Sequence, residues 1–413
     1  MLAPTDRTGS RMGVKEFVAL MAMIQALQAL AIDAMLPGLG IMSQELGVHD
    51  SNQRQLVVGV FLVCSGLTSL FPGALADRYG RRPVLFVSLA GYVLFNVAAA
   101  LSPDFTTLLI FRGLAGGFSS GLLVMATAII RDRFEGDRMA RTQSLVSMVF
   151  MVVPMAAPSL GQAILAVASW RWIFALMAAL GAAVSLWAWV RVPETLHPDF
   201  RQTIQPRAIA ANMRSVFLTR AAAGYVIGMA LVQGALFGYI NSSQQLVAEH
   251  FGAGAAFPLL FGGMALCMAL CSLTNSRIVE RFGARRVSHT ALLGYVVLGA
   301  LQLWFASRGG ETIWHFAPLM TLNLCVMGFI GANFQAIALQ PFARIAGVAS
   351  SVQAFMRLMV GSALGALIGQ AYDGTARPLA AALLAAGIAA LLLVLYSEHG
   401  KLFRRLHGQV AQA

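Results

Sequence analysis

Apolar residues run along this chain in long blocks, and short polar stretches rich in arginine separate them. A bilayer core about 30 Å thick needs about 20 apolar residues per helical span. On that basis the blocks predict twelve helices, at roughly residues 17–37, 54–76, 84–102, 106–130, 142–166, 171–190, 219–245, 255–279, 287–306, 313–340, 345–371 and 378–397. Connections are short except at 191–218, which holds Pro193, Pro198, Pro206 and several arginines. That stretch reads as a cytoplasmic link between two six-helix halves, residues 1–190 and 219–413. The expected fold class is an all-α polytopic membrane protein with twelve transmembrane helices in two pseudo-symmetric halves.

A repeat supports the two halves. Gly73-Ala-Leu-Ala-Asp77-Arg78-Tyr79-Gly80-Arg81-Arg82-Pro83-Val84 lies between the second and third apolar blocks. It is echoed by Glu280-Arg281-Phe282-Gly283-Ala284-Arg285-Arg286-Val287, with Asp77 and Glu280 separated by 203 residues and no gap needed. A repeat of about half the chain length is a recurring design of transporters.

Composition narrows the class. Of 413 residues, 58% are hydrophobic and only 11% charged, against about 25% charged in soluble domains. The net charge of +12 could suggest a nucleic-acid partner, but the positive residues sit in short loops between apolar runs, as the positive-inside pattern requires. Counted by side, 23 Lys and Arg fall with the N-terminus and four, Arg54, Arg171, Arg308 and Arg377, fall opposite. Both termini are therefore expected in the cytoplasm. The basic N-terminus followed by an apolar run resembles a signal peptide, but the run is long and lacks a clear small-residue cleavage site, so it reads as a retained first span. Cys64, Cys267, Cys271 and Cys325 all lie in apolar segments and read as buried thiols.

Charges inside a span are expensive, so each is a functional candidate. Three stand out: Asp33, Arg112 and Arg357. Asp33 lies about 24 Å along the first helix and Arg112 about 9 Å along the antiparallel fourth, which brings them to a similar depth. The expectation is that they influence each other, directly or through water, and serve proton coupling or substrate binding. The alternative is a fixed ion pair between the two helices. Burial raises a carboxylate pKa and a nearby arginine lowers it, so a proton or a cationic substrate can decide the charge of Asp33. Gln25 shares the Asp33 face, and Gly116, Ser119 and Ser120 share that of Arg112. In the eleventh helix Ser350, Gln353, Arg357, Gly361 and Gly365 form one stripe. Arg357 there can meet an anionic or polar substrate group, or backbone carbonyls. Phe150, Gln233, Phe237 and Asn333 are further candidates for a cavity wall, with helix packing the plainer reading. A mostly apolar cavity with few polar groups suits bulky amphipathic compounds.

In the first charged hairpin, Gly80 can take a left-handed turn and Pro83 suits the first turn of the next helix. Its arginines keep the loop in the cytoplasm. An acid before the turn adds a second role: with Arg78, Arg81 and Arg82, Asp77 can form a network that holds two bundles in one arrangement and breaks in the other. Gly73, Glu280 and Arg281 belong to the same gating loops.

These residues resemble the major facilitator superfamily. Gly73-x-x-x-Asp77-Arg-x-Gly80-Arg-Arg is close to its signature loop between helices 2 and 3, and the resemblance covers essentially the whole chain. Within that superfamily the chain is similar to the twelve-span drug:proton antiporters of the Bcr/CflA branch. The matching stretches are Ala31-Ile32-Asp33-Ala34-Met35-Leu36-Pro37, Arg112-Gly113-Leu114-Ala115-Gly116, Arg131-Asp132-Arg133-Phe134, Ala157-Pro158-Ser159-Leu160-Gly161 and Pro193-Glu194-Thr195-Leu196. The helix 4 motif often has Gln where this chain has Ala115, and the helix 5 motif usually has Gly at both flanks where this chain has Ala157 and Gln162. The resemblance implies export of hydrophobic drugs in exchange for protons by rocking of two halves about a central site. It gives Asp33 and Arg112 roles in coupling or binding, and makes Pro158 and Gly161 part of an antiporter motif that shapes helix 5. A multi-pass protein of the bacterial inner membrane follows, with a small-molecule substrate, protons and the lipid bilayer as partners, no nucleic acid, and one chain able to act as a monomer. An importer or metabolite transporter of the same architecture is the alternative. The chain carries no H-E-x-x-H and no phosphate-cradling loop, so an enzyme is not expected, nor any cofactor or metal.

Overall fold

The computed structural model describes residues 12–48, 50, 52–134, 136–196, 214–215 and 218–403. Among these no strand occurs. Most of the expected link at 191–218 lies outside the described residues, as do Arg7, Arg11, Arg201, Arg207, Arg404 and Arg405 of the basic side.

The first apolar block is not one straight helix. α1 spans Val14–Asp33, a short 3-10 turn covers Leu36–Gly38, and α2 covers Leu39–Glu45. The second block is broken too, into α3 (Leu56–Thr68) and α4 (Phe71–Tyr79), bent by 46° at the break. One rule explains both. A proline ring collides with the carbonyl four residues before it and cannot donate to it. Pro37 acts on Asp33, where α1 ends, and Pro72 acts on Thr68, where α3 ends. The expected helices at 17–37 and 54–76 are corrected accordingly.

The rest of the first half comprises α5 (Arg81–Ala100), α6 (Phe105–Arg133), α7 (Gly136–Val167) and α8 (Arg171–Arg191). Asp104 begins α6 by accepting a hydrogen bond from the Thr107 N–H at 2.9 Å, a standard N-cap. The second half comprises α9 (Arg220–Gln244), which runs on into a π-helical turn over Gln245–His250, then α10 (Phe257–Phe282), α11 (Ala284–Ser307), α12 (Ile313–Leu339), α13 (Ala346–Gln370) and α14 (Arg377–Ser397).

The chain separates into two compact units, one of Met1–Pro206 with Phe257–Gly262 and one of Arg207–Ala256 with Gly263–Ala413. Their internal packing repeats. In the first, α1 packs on α7 and α8, and α5 packs on α6 and α8; in the second, α9 packs on α13 and α14, and α11 packs on α12 and α14. Among the described residues ten helical stretches are long and apolar enough to cross a membrane, and the bent α3–α4 pair makes eleven. The twelfth expected span lies in α7, whose apolar part, Val152–Val167, is shorter. Leu94, Leu186 and Leu392 are each 60% or more exposed, which fits a lipid-facing surface. All four cysteines are free.

One loop carries a pH-dependent cost. Glu311, between α11 and α12, has both carboxylate oxygens buried without a hydrogen-bond partner, and this burial pushes its carboxyl up to about 7. Below the ordinary glutamate value of about 4.3 the folded and unfolded chains both carry the proton, and the group is neutral toward stability. As pH rises toward about 7 the unfolded chain ionises first, so stability falls. Glu311→Gln is therefore expected to raise the thermal unfolding midpoint of the purified protein at about pH 8 and leave it nearly unchanged at about pH 4.5. Equal effects at both values would refute this.

Candidate substrate and proton site

The break in the first apolar block places a carboxylate and frees a carbonyl. Asp33 is the last residue of α1 and is 5% exposed. Beyond it Ala34 still donates to Leu30 O, but Gly38 donates to Met35 O in the tighter turn. The Ala31 carbonyl, at an end where the helix ladder stops, receives instead the Arg112 guanidinium, with Nη2 at 2.9 Å. Arg112 Nε donates to Val57 O near the start of α3, at 3.2 Å. The guanidinium also lies over the Phe61 ring, 4.3 Å from its centroid, and 5.6 Å from that of Phe174. Arg112 is fully buried, and its Nη1 finds no partner. Gly116, one turn on, lets α6 approach so closely that a side chain there would strike Phe61 O.

Asp33 and Arg112 are thus neighbours through the backbone of α1 and not through an ion pair. Among the described residues Asp33 makes no hydrogen bond or ion pair, and neither does Gln25, two turns earlier on the same face. Other polar groups of α1 and α5 are fixed: Gln28 Nε2 donates to Ser65 Oγ at 2.8 Å, and Tyr92 Oη donates to Leu27 O at 2.9 Å. Gly161 of α7 meets the break from the other side, since a side chain there would strike Ala34 O. Pro154 and Pro158 both lie inside α7, and Pro158 is buried beside this contact. The far end of the broken block is pinned as well: Glu45 accepts from Trp170 Nε1 at 2.7 Å and Arg171 Nη1 at 3.1 Å.

The hairpin at Gly80 forms a network inside the first half. Gly80 has φ +105°, and the Glu194 carboxylate fills the space a side chain there would need. Glu194 accepts from the backbone N–H groups of Arg81 at 2.8 Å and Arg82 at 3.1 Å, at the positive end of α5. Arg81 bonds Asp77 at 2.6 Å and Asp132 at 3.0 Å, and Thr195 Oγ1 also donates to Asp132, at 3.0 Å. Arg82 Nη2 donates to Trp189 O at 3.0 Å. Arg78 lies 5.1 Å from the Tyr79 ring centroid, and Gly73 sits in α4. These contacts tie α4, α5, α6 and the end of α8 together within one half. Asp132 and Glu194 stand 51 and 113 residues from Arg81, so no local pattern pairs them.

The second half repeats the turn with a different grip. Gly283 has φ +85°, and nothing lies within 4 Å of where a side chain would begin. Here the acid after the last helix, Glu398, holds a side chain: it accepts from Arg285 Nε at 2.7 Å and from Tyr225 Oη at 2.7 Å. Burial pushes the Glu398 carboxyl up, and these two bonds more than offset it, leaving the group below the usual range. Arg281 lies 5.5 Å from the Phe282 ring centroid; the side chain of Glu280 lies outside the described residues.

The remaining candidates divide. Asn333 is committed to structure, donating to Asn275 Oδ1 at 2.8 Å and Phe329 O at 2.7 Å. Phe150 is half-buried in α7. Gln233 and Phe237 of α9 face Gly361 of α13, each 3.4 Å from where its side chain would begin. Gln353 is buried and Arg357 half-buried on the same face of α13, while the side chain of Ser350 lies outside the described residues. Flanking α3, α4, α5 and α6, an apolar groove of about 840 Å³ is lined by residues such as Leu67, Phe71, Val87 and Leu114.

Comparison with known proteins follows the same lines. Residues 21–366 match the family model of the Major Facilitator Superfamily. A bicyclomycin resistance protein homolog of Haemophilus influenzae is 25% identical, over 88% of this chain and 91% of that one. The multidrug resistance protein MdtL of Klebsiella pneumoniae strain 342 is 28% identical, over 78% and 80%. Among solved structures, a D-xylose-proton symporter superposes with a TM-score of 0.69 at 15% identity, covering 92% of this chain and 95% of that one.

Proposed function

Since the chain belongs to the major facilitator superfamily, and is thus a polytopic membrane transporter and not an enzyme, we propose that it exports hydrophobic or amphipathic small molecules, drugs among them, across the bacterial inner membrane in exchange for protons. The observation that carries this reading is Asp33: a buried carboxylate at a helix break, with no partner of its own. Such a group is costly in a membrane. A proton or a cationic ligand relieves the cost, and each displaces the other, which is the elementary requirement of exchange. Arg112 holds the break open by occupying the carbonyl that α1 leaves free, so the carboxylate keeps its position in both protonation states. Alternating access then lets Asp33 take a proton from one side and release it to the other. The names of the bicyclomycin-resistance and multidrug-resistance relatives support drugs as cargo. The basic residues support termini in the cytoplasm, and the presence of both halves in one chain supports a working monomer.

The test is transport by the purified chain in proteoliposomes under an imposed pH gradient, with amphipathic fluorescent dyes and an internal pH indicator. Export predicts that dye and protons cross in opposite directions and that a protonophore abolishes dye accumulation. Movement of both in the same direction would establish a symporter instead. Dye movement indifferent to the gradient would remove the coupling role of Asp33.

A further inference from the structure

Arg357 lies near the middle of an apolar block of the second half, whereas Arg220 and Arg277 lie near the ends of theirs, and its environment contrasts with that of Arg112. It lies near the middle of α13 and is half-buried. Exposed residues of α13, such as Ala363 and Leu367, mark its outer side. Arg357 instead shares a helical face with Gln353, Gly361 and Leu364, and that face is turned to α9. Gly361 packs against Gln233 and Phe237, and Leu364 packs against Gly234. Arg112 has two carbonyls and two ring faces; among the described residues Arg357 has no hydrogen bond, ion pair or ring contact. One turn away, Gln353 is 9% exposed and its Nε2 has no partner.

Among the described residues, its own half brings no counter-charge to it. The helices of this half, α9 to α14, contain no Asp or Glu apart from Glu280, near the end of α10. The other acids of the half, Glu249, Glu311, Asp373 and Glu398, lie at or beyond helix ends. An arginine cannot escape its charge by losing a proton at ordinary pH. Nor does packing call for one beside glycines. The chain therefore presents an unspent guanidinium fork and an unspent amide N–H on the same face, with the Phe237 ring packed against Gly361, one turn beyond Arg357.

Building on the export reading above, we infer that Arg357 and Gln353 form a second recognition point for an oxyanion, so that besides cations that compete with the proton on Asp33 the transporter accepts amphipathic compounds bearing a carboxylate or an equivalent planar anion. The planar fork matches a carboxylate with two parallel N–H···O bonds. Gln353 Nε2 supplies a further donor, and Phe237 with the aliphatic part of Gln233 offers a surface for the apolar body. A site built to donate hydrogen bonds rejects cargo that cannot accept them, because its buried donors are then left unpaired.

The test is equilibrium binding to the full chain in lipid nanodiscs, read by fluorescence anisotropy. Fluorescein, an anionic xanthene, is compared with pyronin Y, a cationic one. The wild type is expected to bind fluorescein saturably, Arg357→Gln to weaken it about tenfold or more, and Gln353→Leu to weaken it by a smaller factor, with pyronin Y binding unchanged. A competition needing no variant keeps the test decisive if Arg357→Gln fails to fold: naphthoate should displace fluorescein at least about tenfold better than naphthamide. Absence of saturable fluorescein binding, equal weakening of both dyes, or equal displacement by acid and amide would each overturn the inference. Binding is measured without transport, so the two readings fail separately. Intact anion preference without protonophore-sensitive export would sink the export reading alone, and export without anion preference would sink this one alone.

Discussion

Replacing Arg112 by methionine is expected to destabilise the folded protein by about 2–4 kcal/mol and to abolish transport. Methionine approximates the length of the arginine stem but leaves Ala31 O and Val57 O without their donor. A hydrogen bond from a charged group contributes about 1.5–3 kcal/mol, and a buried carbonyl left unpaired bears its full desolvation cost. Removing a buried charge returns part of this, which is why the net figure is smaller than the two bonds together. Arg112→Lys keeps the charge but not the fork, and should fall between wild type and methionine. The denaturation midpoint of the solubilised protein, followed by tryptophan fluorescence, reads the effect. A midpoint unchanged in Arg112→Met would mean that the break in α1 holds without its cap.

For Asp33→Asn the expected sign of the stability change is opposite. The carboxylate has no partner to lose, and the amide has the same shape with no charge to desolvate. The variant should be as stable as wild type or slightly more so, while proton-driven transport falls at least about tenfold. Residues retained for activity at a cost in stability show this pairing. A double measurement on each variant, midpoint and proton-driven dye movement, separates the two roles. If Asp33→Asn lost stability and transport together, Asp33 would be a structural group like Arg112, and the exchange mechanism would need another carboxylate.

Much of the fold was legible because membrane helices are written in local terms. Apolar length marks the spans, and the glycine turns at 80 and 283 carry the left-handed backbone their composition suggests. The helix breaks were legible in principle, since Pro37 and Pro72 each forecast a fault four residues upstream, but apolar length alone draws the helices straight through them. The candidate site was half legible. Asp33, Arg112 and Arg357 announce themselves because a charge inside a span is rare. Their partners do not. Arg112 is met by carbonyls that become available only when α1 breaks, so the expected nearness of Asp33 and Arg112 could be read from their depths, but not the stretch of α1 backbone that lies between them. Asn333 left cavity lining and helix packing both open, and its bond to Asn275 joins two helices. Asp132 and Glu194 are drawn to Arg81 only by the packing of α5, α6 and α8.

The two glycine turns differ in how injury to them would spread. Any residue other than glycine at 283 meets backbone strain of about 1–3 kcal/mol and little else, because its surroundings are open. At 80 the same replacement also evicts Glu194 from the two amides it holds, loosening the end of α8 and the start of α5 in one stroke. A duplicated segment has thus acquired unequal fragility: one copy contains damage where it falls, and the other passes it on.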